Sequence, residues 1–378
     1  MSRLVRPALI LVVLAALVGM FSVSLVSAQD ASDYVDPCLA EGAEAGAEAE
    51  AVEVPDNSDI SFQIILPGAR GDRSFTDSAA AGAERAIAEL GVDGTIIEPS
   101  GAQEHDAAIR RAVQEDPNLV ITIAVDASVV EELVDEYSDQ KFAAQETFFP
   151  APPEYDNLAL FNILTHENSY LAGIAAGMLT RTKVVGAVGG GDFPGINLFI
   201  VGYEEGVKSV CADCTVLRSY VGGAEPFNDP VRAKELSLGL FSQGADILYQ
   251  VAGRSGEGVL EAAKETGNFA IGVDSNQDDL YPGTVIVSAM KRVDNAVFGF
   301  VESIVNDTYV PGTTNVGLAE GYAGLSWDVG ICSRTFDENG PEDLVEKLPA
   351  VRQAIDEARA KILAGEIVVT NALFDSAS

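Results

Sequence analysis

The stretch GADILYQVAGRSGEGVLEAAKETGNFAIGVDSNQ, Gly244–Gln277, limits the fold more than any other part of the chain. Ala245–Gln250 is a short apolar run without helical spacing. Gly256–Thr266 puts Val259, Leu260 and Ala263 on one helical face, and Phe269–Val273 returns to a buried-strand run. Strand, helix and strand in that order make parallel sheet with a right-handed crossover. Asp274 then falls just past the carboxyl end of the second strand, where open α/β sheets collect their ligands. A carboxylate fixed there accepts two hydrogen bonds from a polar ligand such as a diol. An Asp in that place also caps the following turn through Ser275 and Asn276, and the unit alone leaves both readings open.

The same alternation runs through the chain from Ser61. Phe62–Pro67 leads to a helix at Asp77–Leu90, Gly94–Glu98 to one at Glu104–Gln114, and Leu119–Val125 to one at Ser128–Tyr137. Lys141–Glu146 and Leu158–Ile163 complete a first set of strands, and a second set begins at Val184–Gly190. Repeated βα units give parallel sheets covered by helices. At 378 residues the chain can build two cores. Late segments at Thr284–Met290 and Asn315–Leu318 must return to these sheets. The expected class is therefore α/β, in two lobes each built on a mainly parallel sheet. Crossings near Thr165, Lys291 and Leu325 divide the chain into residues 58–164 plus 291–324 and residues 165–290 plus 325–378. The strand ends of both lobes then face one cleft, the usual place for a small ligand, and hinge closure is the expected motion.

Charge narrows the partners. With 23 basic and 58 acidic residues the formal charge is −35, which argues against nucleic acid or an anionic membrane surface. Arg3 and Arg6 precede an apolar run from Pro7 to about Val26, and Val26-Ser27-Ala28 fits a small-residue cleavage site, so residues 1–28 read as an export signal. The run also suffices for an uncleaved anchor, since a spanning helix needs roughly 20 apolar residues. Either route places the remainder outside the cytoplasm, in the periplasm or at the cell surface. Residues 29–57, with EGAEAGAEAEAVEVPD at their centre, read as a solvated spacer. Cys38 follows Asp36-Pro37 and not a lipobox pattern. Four cysteines in an exported chain suggest disulfides. Cys211-Ala-Asp-Cys214 lies between a helix end and the strand Thr215–Tyr220, a setting for a structural bridge; reactive pairs normally open a helix. Cys38 and Cys332 are left to bridge the spacer to the body or to stay apart.

These segments, taken together, resemble the basic membrane protein family of solute-binding proteins, the nucleoside-binding receptors of ATP-driven importers. The likeness is carried by GDRSFTDSAAAG (Gly71–Gly82), SYLAGIAAGMLT (Ser169–Thr180), GAVGGGDFPGINLF (Gly186–Phe199), FNDPVRAKEL (Phe227–Leu236), the Gly244–Gln277 unit and PGTVIVSAMKRVDNAV (Pro282–Val297). It runs in the family's order from about Ile60 to Thr370. The resemblance implies a two-lobed type I periplasmic-binding-protein fold and a monomer that meets the permease and ATPase subunits of an importer. It implies neither catalysis nor a cofactor.

The resemblance also assigns residues. Phe75 matches the phenyl group that stacks on the purine base, and Phe227 matches the one on the base's second face. Asp274 matches the Asp that binds the ribose hydroxyls, Lys291 a Lys pointing into the same site, and Gly253 a Gly whose backbone approaches the sugar. Glu146 stands where the family often has an Asp for the base edge; it keeps the acceptor with one methylene more. Asp72 and Ser74, in the loop carrying Phe75, suit either ligand contact or helix capping. On residue type alone Phe227 equally suits core packing, Lys291 an ion pair with an acid, and Gly253 an ordinary turn. The cluster Gly189–Gly191 suits an anion cradle or a plain backbone turn, and no P-loop motif accompanies it. The acids Asp274, Asp278 and Asp279 raise the alternative of a metal-dependent nucleoside hydrolase, though such clusters follow the first strand, where Arg70–Phe75 stands here. His105 and His166 are the only histidines available for general base catalysis. A receptor presenting its ligand to a membrane sensor, or a binder of another sugar-like solute, are the remaining alternatives.

Overall fold

A computed structural model describes residues 54–149, 154–329 and 332–373. The export signal, nearly all of the acidic spacer and Cys38 lie outside the described residues. In chain order, β1 (Asn57–Ile65), α1 (Phe75–Leu90), β2 (Val92–Ile97), α2 (His105–Gln114), β3 (Leu119–Ile123), α3 (Ala127–Glu136), β4 (Phe142–Gln145) and β5 (Leu158–Ile163) form one series. The second series is α4 (His166–Leu179), β6 (Val184–Gly189), α5 (Pro194–Val210), β7 (Thr215–Tyr220), α6 (Pro230–Ser242), β8 (Ile247–Val251), α7 (Gly256–Thr266), β9 (Phe269–Asp274) and β10 (Val285–Lys291). The chain then supplies α8 (Val293–Val305), β11 (Gly312–Val316) and β12 (Ala323–Leu325) and, after two short helical turns, α9 (Leu348–Leu363).

The strands sort into two six-stranded sheets, ordered β11-β5-β4-β3-β1-β2 and β12-β10-β9-β8-β6-β7. Every pairing is parallel except β10 with β12. Helices cover the sheets, so the mainly apolar strands LVITI and ILYQV are buried at every position. This is the two-lobed α/β architecture expected from the two βα series. After β10, α8 packs along α1, and Val293, Val297 and Phe300 join the apolar cluster of Ile64, Ala83 and Ile121. β11 adds to the edge of the first sheet beside β5. β12 pairs with β10, so the last passage between sheets lies between Val316 and Ala323, just ahead of Leu325.

α4 and α5 pack closely because both are notched with glycine. A Cβ on Gly173 would lie 2.1 Å from the Tyr203 carbonyl oxygen, and one on Gly206 2.0 Å from that of Tyr170. Gly206→Ala therefore has to force the helices apart. Such overpacking costs about 1–3 kcal/mol, and a Gly206→Ala protein should unfold at correspondingly lower denaturant; an unchanged midpoint would contradict the contact. Cys211 and Cys214 form a disulfide in the turn from α5 to β7, with Cα atoms 5.3 Å apart. Cys332 is disulfide-bonded as well. Among the described residues no helix is long and apolar enough to cross a membrane.

Candidate functional site

Four strand ends bring the candidate residues together: β1 and β4 from the first sheet, β9 and β10 from the second. Asp274 closes β9 with φ +63°, a left-handed conformation that Asp tolerates better than most residues. Its side chain is buried, and Ser74 Oγ, just before α1, donates to Asp274 Oδ2 at 2.5 Å. Two further bonds join the same loops: Ser275 Oγ donates to the Ser74 carbonyl at 3.3 Å, and Gln277 Nε2 to that of Arg73 at 3.1 Å. The β1–α1 loop of one lobe and the β9 loop of the other are thus tied directly. Burial pushes the Asp274 carboxyl up to about 6, against the opposing pull of the Lys291 ammonium and the Ser74 hydroxyl.

Lys291, the last residue of β10, donates from Nζ to Glu146 Oε2 at 2.6 Å, and the two side chains are only 5% and 9% exposed. This buried pair also spans the sheets, because Glu146 follows β4. Glu146 has φ +57°, and its other oxygen, Oε1, accepts from the Ile163 amide at 2.9 Å. The Lys291 ammonium stands 5.2 Å from the Phe75 ring centre and 5.3 Å from that of Phe199, both within cation–π range. Phe199 comes from α5. In the sequence it reads as one more apolar residue on a helix, and no local pattern separates it from core.

Asp72 bonds to the amides of its own loop and helix. Its Oδ1 accepts from the Ser74 and Asp77 amides, both at 3.0 Å, and its Oδ2 from the Thr76 amide at 2.8 Å. These bonds satisfy amides at the start of α1, so Asp72 fixes the loop that presents Ser74 and Phe75. Phe227 and Gly253 belong to a second group. Gly253 has φ +53°, and a Cβ there would meet the Phe227 Cβ at 3.5 Å. The Phe227 ring lies on Gly190, whose absent Cβ would sit 2.2 Å from Phe227 Cε1. Phe193 is adjacent, with ring centres 6.4 Å apart. The Gly190 amide donates to the Val251 carbonyl and its own carbonyl accepts from Gly222; the glycines continue the backbone pairing of β6 and seat aromatic rings.

The acids after β9 are held by hydroxyls. Asp278 is fully buried, accepting from Ser288 Oγ at 2.6 Å and Ser326 Oγ at 2.7 Å. Asp279 accepts from Asn276 Nδ2 at 3.1 Å and from the Thr335 hydroxyl. Among the described residues, no group of three or more His, Cys, Asp or Glu could hold a metal ion. His105 Nε2 lies 3.2 Å from the Pro67 carbonyl, and burial lowers its pKa.

Two parallel sheets linked by repeated passages of one chain, with buried polar groups at the strand ends, define a small-molecule-binding protein of the periplasmic type. Known proteins agree. A solute-binding protein of an ABC transporter system from Aeropyrum pernix superimposes with a TM-score of 0.72 at 29% identity, covering 82% of this chain and 94% of that one. A counterpart from Conexibacter woesei shares the fold, with a TM-score of 0.62 at 23% identity and coverages of 83% and 99%. An uncharacterized lipoprotein of Pyrococcus abyssi is 30% identical over 93% of this chain and 90% of its own length. Basic membrane protein D of Borreliella burgdorferi is 30% identical over 69% and 77%. The chain belongs to the Bmp family of PnrA-like ABC transporter substrate-binding proteins, whose model matches residues 60–369. It is a binding protein and not an enzyme; its role implies a small-molecule ligand, membrane transporter partners and a location outside the cytoplasm.

Proposed function

We propose that this protein binds a nucleoside, with a purine base, in the cleft between its lobes and delivers it to the permease and ATPase subunits of an importer. The observation carrying this reading is the buried cluster of Asp274, Ser74, Lys291, Glu146 and Phe75, drawn from strand ends of both sheets. Asp274 is an acceptor suited to a vicinal diol, and Ser74 now occupies one of its oxygens as a ligand hydroxyl would. Phe75 supplies a flat face for the base, with Phe227 opposite it on the other lobe. Gly253 keeps the approach beside Phe227 open, and Asp72 acts by holding the Phe75 loop. Glu146 neutralises Lys291, so a phosphate has no uncommitted cation in this cluster. The lobes, residues 58–164 with 291–324 and 165–290 with 325–378, close over the ligand as hinged bodies, and the protein works as a monomer.

Calorimetry with adenosine, guanosine, inosine, cytidine, ribose and free adenine tests the reading. Heat from purine nucleosides, and little from ribose, is expected. Base stacking is worth about 1–3 kcal/mol by truncation, so Phe75→Ala should weaken ribo- and dideoxynucleosides alike, by roughly tenfold or more. No heat from any nucleoside, or equal binding of plain ribose, would leave a sugar-like solute as the better ligand.

A further inference from the structure

The residue before Glu146 is the most unusual polar group near this cluster. Gln145, at the carboxyl end of β4, is wholly buried. Neither its Nε2 nor its Oε1 has a hydrogen-bond partner among the described residues. Buried amides are nearly always paired, and leaving one without partners costs stability unless something else supplies them.

Its position points to what that is. Gln145 pairs in register with Ile123 on one side and Phe161 on the other. With Ala143, two residues back, these lie on the sheet face that α1 and α8 cover, and Phe75 packs against the same apolar cluster. The next residue carries the Glu146 carboxylate onto Lys291. Gln145 is thus an unpaired donor and acceptor on the sheet face whose apolar cluster Phe75 packs against, one residue before the carboxylate that holds Lys291. It is more buried than Asp274 and Lys291, which are 7% and 4% exposed. The cross-strand pairing of β4 on both edges, and the Ile163 amide bound to Glu146, hold the backbone that carries this side chain.

We infer that Gln145 is a specificity-determining residue, its carboxamide pairing with the donor–acceptor edge of the base. This rests on the nucleoside reading above. A carboxamide offers one acceptor beside two donors. It complements an edge with the reverse pair: the amino group and ring nitrogen of an aminopurine, or the lactam of an oxopurine. The same two-point match lets Gln recognise adenine elsewhere. Unsubstituted purine keeps ring acceptors but has no exocyclic donor or carbonyl, so it makes at most one of the two bonds.

The test compares the tightest binder among adenosine, guanosine and inosine with purine riboside, which bears hydrogen at position 6, in wild type and Gln145→Leu. Wild type should favour the substituted nucleoside by tenfold or more. Gln145→Leu should lose ten- to a hundredfold in affinity for it and lose less for purine riboside, which has at most one bond there to lose, and so shrink the preference. The unliganded variant should unfold at the same denaturant concentration as wild type or higher, since an unpartnered amide is replaced by apolar atoms. Should Gln145→Leu not fold, Gln145→Met carries the same comparison. Nucleoside binding with the preference unchanged in the variant overturns the inference and leaves the nucleoside reading standing. Nucleoside binding weakened only together with the free protein's stability assigns Gln145 a structural role and also overturns it. Absence of nucleoside binding by wild type overturns both.

Discussion

Lys291→Met is expected to cost about 3–5 kcal/mol of stability, the largest loss from any single substitution in this cluster, because it strands the buried Glu146 carboxylate without its counter-ion. The two side chains are 5% and 9% exposed and their charged atoms are 2.6 Å apart, so solvent screens the pair little. Asp274 loses the opposing charge that favours its ionised form, and Phe75 and Phe199 lose the cation standing at their faces. The methionine fills much of the same volume, which confines the effect to charge. Adding Glu146→Gln should recover most of the loss, since the remaining amide carries no charge and keeps an acceptor for the Ile163 amide. Denaturant titration of the single and double variants measures both. A loss below about 1 kcal/mol in Lys291→Met, the range of exposed pairs, would show that Glu146 has another partner or lies in water.

Much of this fold is legible because it is parallel. Strands buried on both faces spell mainly apolar runs, so β3 and β9 stand out as LVITI and FAIGVD. Gly91 and Gly267 mark the ends of α1 and α7 by taking the left-handed conformation there. The edges are harder. β1 begins at Asn57, ahead of the apolar run at Phe62, since its first residues pair through the backbone and leave their side chains largely outside the core. β11, GTTNV, has one buried residue and no pattern to read. The site divides the same way. Asp274, Lys291, Glu146 and Phe75 are recognisable by residue type at strand ends and loops. The pairing of Lys291 with Glu146, 145 positions apart, and of Ser74 with Asp274, 200 apart, depends on two lobes meeting. No local signal encodes it. Nor does the sequence announce that Glu146 and Asp274 have positive φ, strain that folded proteins concentrate at functional positions. Asp72 shows the limit of residue type, since one Asp in one loop fits a ligand or a cap, and its three bonds to amides at the start of α1 appear only in the structure.

Asp274→Ala should weaken ribonucleosides by roughly ten- to a hundredfold, because it leaves a buried diol without its acceptor at about 1–3 kcal/mol. 2′,3′-Dideoxy analogues, which have no diol to lose, should be affected far less. The pH dependence gives an independent check. The groups facing Asp274 are Ser74 and Lys291, which favour its charge, and Asp72 and Glu146, which oppose it; burial dominates and raises the pKa to about 6. The raised value means that between about pH 4 and 6 the folded protein holds a proton that the unfolded chain has released. Stability from this group is therefore greatest in acid and falls as pH rises towards 6, above which the cost of the buried charge is fully present. Ligand binding runs the opposite way. The ionised carboxylate accepts from both hydroxyls, whereas the protonated acid gives up part of that capacity, so ribonucleoside affinity should decline as pH drops below about 6. Asp274→Asn, neutral at every pH, should bind weakly and with no inflection near 6. Calorimetry from pH 5 to 8 on both proteins decides the matter. A wild-type affinity that is flat across that range would remove the titration of Asp274 near pH 6, and an inflection that persists in Asp274→Asn would place it on some other group.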